Sequence, residues 1–122
     1  MSGRIIVVDD DPNVLRLMSY IVQREGYDVV SAQSGAEALE IIEQDPPRLV
    51  ILDLMMPGVS GFHICEYLRT EPGMSDVRIL AVTGYAEPAN MRRILAMGAN
   101  EYVEKPLNVD DFLAKVRRLA AE

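Results

Sequence analysis

The chain has 122 residues, 49% of them hydrophobic, and a formal net charge of −7 from 12 Lys and Arg against 19 Asp and Glu. That length suits one domain with its own core, residues 1–122, and the apolar content excludes a disordered chain. No apolar run reaches the ~18 residues of a membrane span, and the acidic balance does not suit a domain that itself grips nucleic acid. A lone cysteine, Cys65, excludes an internal disulfide and fits a reducing cytoplasm. Met1-Ser2-Gly3-Arg4 runs straight into an apolar stretch, so no signal peptide is expected.

Arg4-Ile5-Ile6-Val7-Val8 is β-branched and uninterrupted, and predicts a buried first strand that ends at Asp9-Asp10-Asp11-Pro12. Pro12 suits the first position of a helix, with Asp11 as its N-cap. Val14, Met18, Ile21, Val22 and Glu25 give that helix a stripe, and Gly26 stops it. Tyr27 to Ala32 predicts a second strand. Ser34, with Glu37 three residues on, predicts a capping box at the start of a second helix lined by Ala38, Leu39, Ile41 and Ile42. Asp45-Pro46-Pro47 ends it. Leu49-Val50-Ile51-Leu52-Asp53 is an apolar run into one carboxylate, as in a strand buried on both faces. Pro57-Gly58 and Ser60-Gly61 then force a turn, so the end of that strand is expected to open to solvent. A third helix runs from about Ser60 to Thr70, with Phe62, Cys65 and Leu68 inward. Val77 to Val82 predicts a fourth strand ending at Thr83-Gly84, and Glu87-Pro88 a fourth helix that stops at Gly98. Asn100 to Glu104 predicts a fifth strand ending at Lys105-Pro106. Asn108 caps a last helix with Val109, Phe112, Leu113, Val116 and Leu119 at helical spacing.

Strict alternation of five strands and five helices predicts an α/β fold: a doubly wound parallel sheet with helices on both faces. In such sheets the site lies beyond the carboxyl ends of the strands. Asp9 and Asp10, Asp53, Thr83 and Lys105 all stand there. Crowded carboxylates repel one another unless a cation joins them, and hard oxygen ligands suit Mg²⁺. A lysine supplies a point charge for a phosphate and a threonine hydroxyl can donate to one. Together these are the parts of phosphoryl transfer, with Asp53 as the nucleophile that forms an acyl phosphate. Alone, each residue has a plainer role: Asp11 a helix cap, Lys105 a surface lysine, Thr83 a strand end, Tyr102 packing, Met55 and Met56 core or rim. His63, the only histidine, lies within a helix and reads as structural, implying neither zinc nor histidine-based catalysis.

The segments Ile5 to Pro12, Leu52-Asp53-Leu54-Met55-Met56-Pro57-Gly58 with Ser60-Gly61, Ala81-Val82-Thr83-Gly84, and Tyr102-Val103-Glu104-Lys105-Pro106 span the whole chain. They resemble the CheY-like receiver domains of two-component response regulators. The resemblance implies a flavodoxin-like strand order 2-1-3-4-5. It implies phosphorylation of Asp53 by a sensor histidine kinase or a histidine phosphotransfer protein, and a downstream effector domain or protein. It implies Mg²⁺ on Asp10, Asp53 and the Met55 backbone carbonyl, with Asp9 acting mainly through water. Lys105 would pair with the phosphoryl group, Thr83 would move toward it, and Tyr102 would swing inward. That movement would remodel the face of helix four, strand five and helix five, a possible homodimer surface. The Lys105-Pro106 bond would be cis. Met55 and Tyr85 would border the path of the hydrolytic water and tune a slow self-dephosphorylation. No turnover of an outside substrate is implied, so the chain is not read as an enzyme.

Other readings fit less well. A haloacid-dehalogenase-type phosphatase needs a second Asp two residues after its nucleophile, where this chain has Met55. No Gly-x-x-x-x-Gly-Lys-Ser/Thr occurs, and no Gly-x-Gly-x-x-Gly follows a strand. A flavin phosphate would be repelled by three aspartates after the first strand. An interaction domain that kept the fold but lost phosphorylation is the runner-up. A stand-alone regulator and a piece of a longer regulator or hybrid kinase both remain open at this point.

Overall fold

The structure, a computed structural model, describes residues 3–84 and 88–121. The strands are β1 (Ile5–Val8), β2 (Val29–Ala32), β3 (Leu49–Asp53), β4 (Arg78–Thr83) and β5 (Glu101–Glu104). The helices are α1 (Pro12–Arg24), α2 (Gly35–Gln44), α3 (Gly61–Thr70), α4 (Pro88–Ala96) and α5 (Val109–Ala121). All paired strands are parallel, in the order β2-β1-β3-β4-β5, as the resemblance implied. None of the described helices is long and apolar enough to cross a membrane.

The apolar strands bury both faces. Successive side chains of a strand point to opposite sides. Ile5 and Val7 of β1 and Leu49 and Ile51 of β3 therefore pack with Leu15, Met18 and Val22 of α1 and Phe112, Val116 and Leu119 of α5. Ile6, Val8, Val50 and Leu52 pack on the other side with residues of α2, α3 and α4, among them Ile42, Ile64, Leu68 and Ile94. Two layers of helix thus cover one sheet, and only the strand ends remain for polar chemistry.

The helix starts follow the sequence closely. Asp11 accepts hydrogen bonds from the N–H groups of Asn13 and Val14, and Pro12 opens α1. Ser34 accepts from the Glu37 N–H at 3.1 Å, and Asn108 Oδ1 accepts from the Asp111 N–H at 2.9 Å. The reciprocal capping box, however, is found at α3 rather than α2, where the Ser60 N–H donates to His63 Nδ1 at 3.1 Å. His63 takes the place usually held by Glu or Gln, which a search for acidic residues passes over.

Several inward faces differ from the expected stripes. In α1 the buried positions are Leu15, Met18, Ser19 and Val22, while Glu25 is the exposed C-cap. In α3 Ile64 takes an inward place and Phe62 is only half-buried. Val109, at the first turn of α5, is exposed. Each difference falls at a helix end or one position round the helix, where the partner element decides which side is covered.

Two glycines shape the loop after β3. Gly58 has φ 72°, a left-handed conformation that side chains disfavour. A Cβ on Gly61 would lie 2.4 Å from Leu52 Cδ1 and 2.6 Å from the Asp53 carbonyl oxygen. Only glycine lets α3 begin so close to the end of β3.

Candidate functional site

The alternation that builds the core also builds the site. Val7, Ile51 and Val103 all point to the α1–α5 side of the sheet. Asp9, Asp53 and Lys105 each stand two residues further on, just past or at the ends of β1, β3 and β5, and so project toward that same side. Parity places two acids and a lysine together at one sheet edge.

The contacts bear this out. Lys105 Nζ lies 3.1 Å from Asp9 Oδ2 and 3.6 Å from Asp53 Oδ2. Asp9 is fully buried and Asp53 is 5% exposed. The expectation that the strand end opens to solvent therefore holds for its rim, Asp10 and Met55, which are exposed, but not for these two carboxylates. The Asp11 N–H donates to Asp9 Oδ1 at 2.9 Å and the Met55 N–H to Asp53 Oδ1 at 3.3 Å. Asp11 thus caps α1 and steadies Asp9 through its backbone. The Lys105 ammonium is the ion-pair partner of the other buried oxygen, Asp9 Oδ2.

Backbone contacts set the lysine. The Lys105 N–H donates to the Thr83 carbonyl at 2.8 Å, and the Lys105–Pro106 peptide is cis. Thr83, which ends β4, is 2% exposed. By strand parity it falls on the side of Ala81, which packs toward α2, α3 and α4. Tyr102 is half-buried and packs against that same cluster. Tyr85 lies outside the described residues. Nothing in the sequence marks Lys115, which the fold brings from α5 to Tyr102. A separation of 13 residues has no local signature.

The electrostatics of the cluster follow from burial. Desolvation pushes the Asp53 carboxyl above its ordinary pKa and nearby Asp9 adds to that. Lys105 and the Met55 N–H pull the other way without overcoming it. For Lys105 burial alone would lower the pKa, but Asp9 and Asp53 outweigh burial and raise it. The lysine stays charged, and Asp53 is held in an environment that resists its charge until more positive charge arrives.

Asp9, Asp10 and Asp53 each offer a carboxylate oxygen, all within 4.8 Å of one another. Oxygens opposite each other on one Mg²⁺ lie about 4.2 Å apart, so the donor set suits a hard divalent cation with little contraction or with one ligand acting through water.

The family model described as response regulator receiver domain matches residues 5–117. The chain is 38% identical over 114 residues to the probable transcriptional regulator ycf27 of Porphyridium aerugineum, covering 93% of this chain and 46% of that protein. It is 36% identical over 116 residues to the DNA-binding dual master transcriptional regulator RpaA of Synechocystis, covering 95% of this chain and 48% of that one. The chain therefore spans about half the length of the curated relatives it matches. Its fold is similar to that of the Vibrio cholerae chemotaxis protein CheY4, with a TM-score of 0.89, 27% identity, and coverage of 98% and 99% of the two chains. These matches define the class: phosphoryl-accepting switch domains of the CheY type. The chain belongs to the receiver domains of two-component response regulators, whose general function is phosphorylation on an aspartate.

Proposed function

We propose that residues 1–122 form one receiver domain whose phosphoacceptor is Asp53, with Lys105 as the phosphoryl-binding cation. One observation carries this: a lysine ammonium set 3.1 Å and 3.6 Å from two buried carboxylates, one of them central in the sheet. An Asp53 oxygen attacks the phosphorus of a phosphohistidine on a sensor kinase or phosphotransfer protein. An O–P bond forms while the P–N bond breaks, its electron pair stays on the imidazole, and that ring takes a proton from solvent. Lys105 draws toward the arriving phosphoryl oxygens and balances their charge. Asp10, Asp53 and the Met55 carbonyl would hold Mg²⁺, with Asp9 acting through water. When bound, the ion neutralises charge shared between the carboxylates and the phosphoryl group. Nothing beyond transfer to Asp53 and slow self-dephosphorylation is asked of the chain. Its effector partner, a dimer through α4, β5 and α5, and a cytoplasmic setting belong to the same reading. DNA binding is named for RpaA, whose length the chain only half covers. The test is treatment with acetyl phosphate and Mg²⁺, which should add one hydroxylamine-labile phosphate per chain; no addition, or a hydroxylamine-stable one, rejects the reading.

Metal binding has its own expected result. Mg²⁺ at ten times its dissociation constant should stabilise the fold by ~1.4 kcal/mol. Asp10, exposed at the rim, is a ligand reachable without disturbing the core. Asp10→Ala should remove the Mg²⁺ increment while the metal-free protein keeps or gains stability. Urea melts with and without Mg²⁺ measure both, and an undiminished increment in the variant counts against the site.

Two neighbours of the site bear on output and lifetime. Thr83, at the end of β4 and 2% exposed, is expected to join the phosphoryl site to α4. Thr83→Ala should still be phosphorylated, with the amide-exchange response of α4 to beryllofluoride roughly halved or less, since a ligand biases only an element it contacts differently in two arrangements. Equal responses in the two proteins reject the coupling. Met55 is 62% exposed beside Asp53, and its thioether is too weak an acceptor to aim a water. Met55→Asn should speed loss of the phosphoryl group about tenfold, ~1.4 kcal/mol off the barrier. The decay after donor removal gives the answer, and an unchanged half-life discounts Met55 as the determinant.

A further inference from the structure

β5 is an edge strand of the sheet, and the outward backbone groups of an edge strand lack a strand partner. At Tyr102 these groups are taken by side chains. Its N–H donates to Glu101 Oε1 at 3.2 Å, and its carbonyl accepts from Lys115 Nζ of α5 at 2.9 Å. The same ammonium lies 5.5 Å from the centroid of the Tyr102 ring, within the ~6 Å over which a cation is drawn to an aromatic face. Asp111, one turn earlier on α5, pairs with the lysine at 3.3 Å. A cleft of about 350 Å³ lined by Tyr102, Glu104, Pro106, Asp111 and Lys115 borders the ring. The ring is therefore not packed on every side, and the lysine is a contact it gives up if it moves.

We propose that Lys115 is a positioning residue for the switch, holding the half-buried Tyr102 ring where it stands, between the α2–α3–α4 cluster and α5, so that further inward movement works against the ammonium. This rests on the reading of Asp53 as phosphoacceptor and Tyr102 as switch, and adds what sets the balance between the two ring positions. The carbonyl contact can survive a ring movement because it involves only backbone. The ring contact cannot. Loss of the charge therefore favours the inward ring, and whatever ligand is coupled to it binds more tightly.

Beryllofluoride in Mg²⁺ serves as the phosphoryl analogue. Lys115→Met should bind it about two- to fivefold more tightly than the wild type, the range an ammonium–ring contact at a partly exposed site supplies. Lys115→Gln, whose amide can still reach the carbonyl, should match Lys115→Met, and Lys115→Arg should stay at the wild-type affinity. In a Tyr102→Leu background Lys115→Met should produce no further shift. A lysine that merely closed the sheet edge would lower stability without this dependence on the ring. Equal affinities of the wild type and both neutral variants overturn the proposal alone, as does a shift that persists without the tyrosine. Absence of analogue binding by the wild type overturns the reading of the site and the proposal together.

Discussion

Asp53→Asn is expected to fold normally and to accept phosphate from acetyl phosphate and Mg²⁺ at least ~100-fold more slowly than the wild type. An amide oxygen cannot form the acyl phosphate, and none of the described carboxylates shares both the central strand and the Lys105 contact. The variant should also be more stable than the wild type in metal-free buffer at pH 7. The sign follows from burial. The folded pKa of Asp53 is raised, so its contribution is fully favourable below the unfolded pKa and is lost as pH rises through the folded one. As pH rises to 7 that contribution is drawn down, a loss the neutral amide does not suffer. Below about pH 4 both side chains are neutral and the advantage should disappear. Intact mass with hydroxylamine treatment reads the first effect, and denaturation at the two pH values reads the second. Labelling at the wild-type rate would falsify the assignment, and a stability gain that persists in acid would remove the electrostatic account.

Lys105→Met is expected to slow phosphorylation ~10²–10³-fold, the scale seen when one preorganised charge is removed from a developing anion. It should also destabilise the metal-free protein by about 2–3 kcal/mol. Breaking a buried pair commonly costs ~3–5 kcal/mol because a charge is left behind, and this lysine keeps 27% of its side chain in water, which moderates the loss. Asp9, with no exposure at all, then has no cation beside Oδ2. Mg²⁺ should recover part of the loss, since a divalent ion at the same carboxylates replaces the missing charge. Melts with and without Mg²⁺ and single-turnover labelling test the pair of effects. If Mg²⁺ stabilises the variant no more than the wild type, Lys105 and the metal do not share these carboxylates.

Strands, helices and most helix starts were legible in the residues alone. Runs such as Ile5–Val8 and Leu49–Leu52 are apolar on both faces, so they fit only a strand covered twice. Asp11-Pro12, Ser34 and Asn108 are local signals whose hydrogen bonds reach no further than three residues. The acids, Thr83 and Lys105 were legible as a set because a parallel sheet gathers every strand's carboxyl end at one edge, and parity then sorts Asp9, Asp53 and Lys105 to one side of it. The order β2-β1-β3-β4-β5 was legible only by resemblance, since periodicity says nothing of which strand lies beside which. Tertiary structure alone decided that Asp9 and Asp53 are buried while Asp10 and Met55 are not. It alone put Leu15 into the buried stripe of α1 beside the expected Met18 and Val22, left Glu25 outside it, and set His63 as a cap. It alone brought Lys115 to Tyr102. In each case the deciding partner lies on another element or in the turn of an adjoining loop, and a distance in space set by packing leaves no mark in the local spacing of residues.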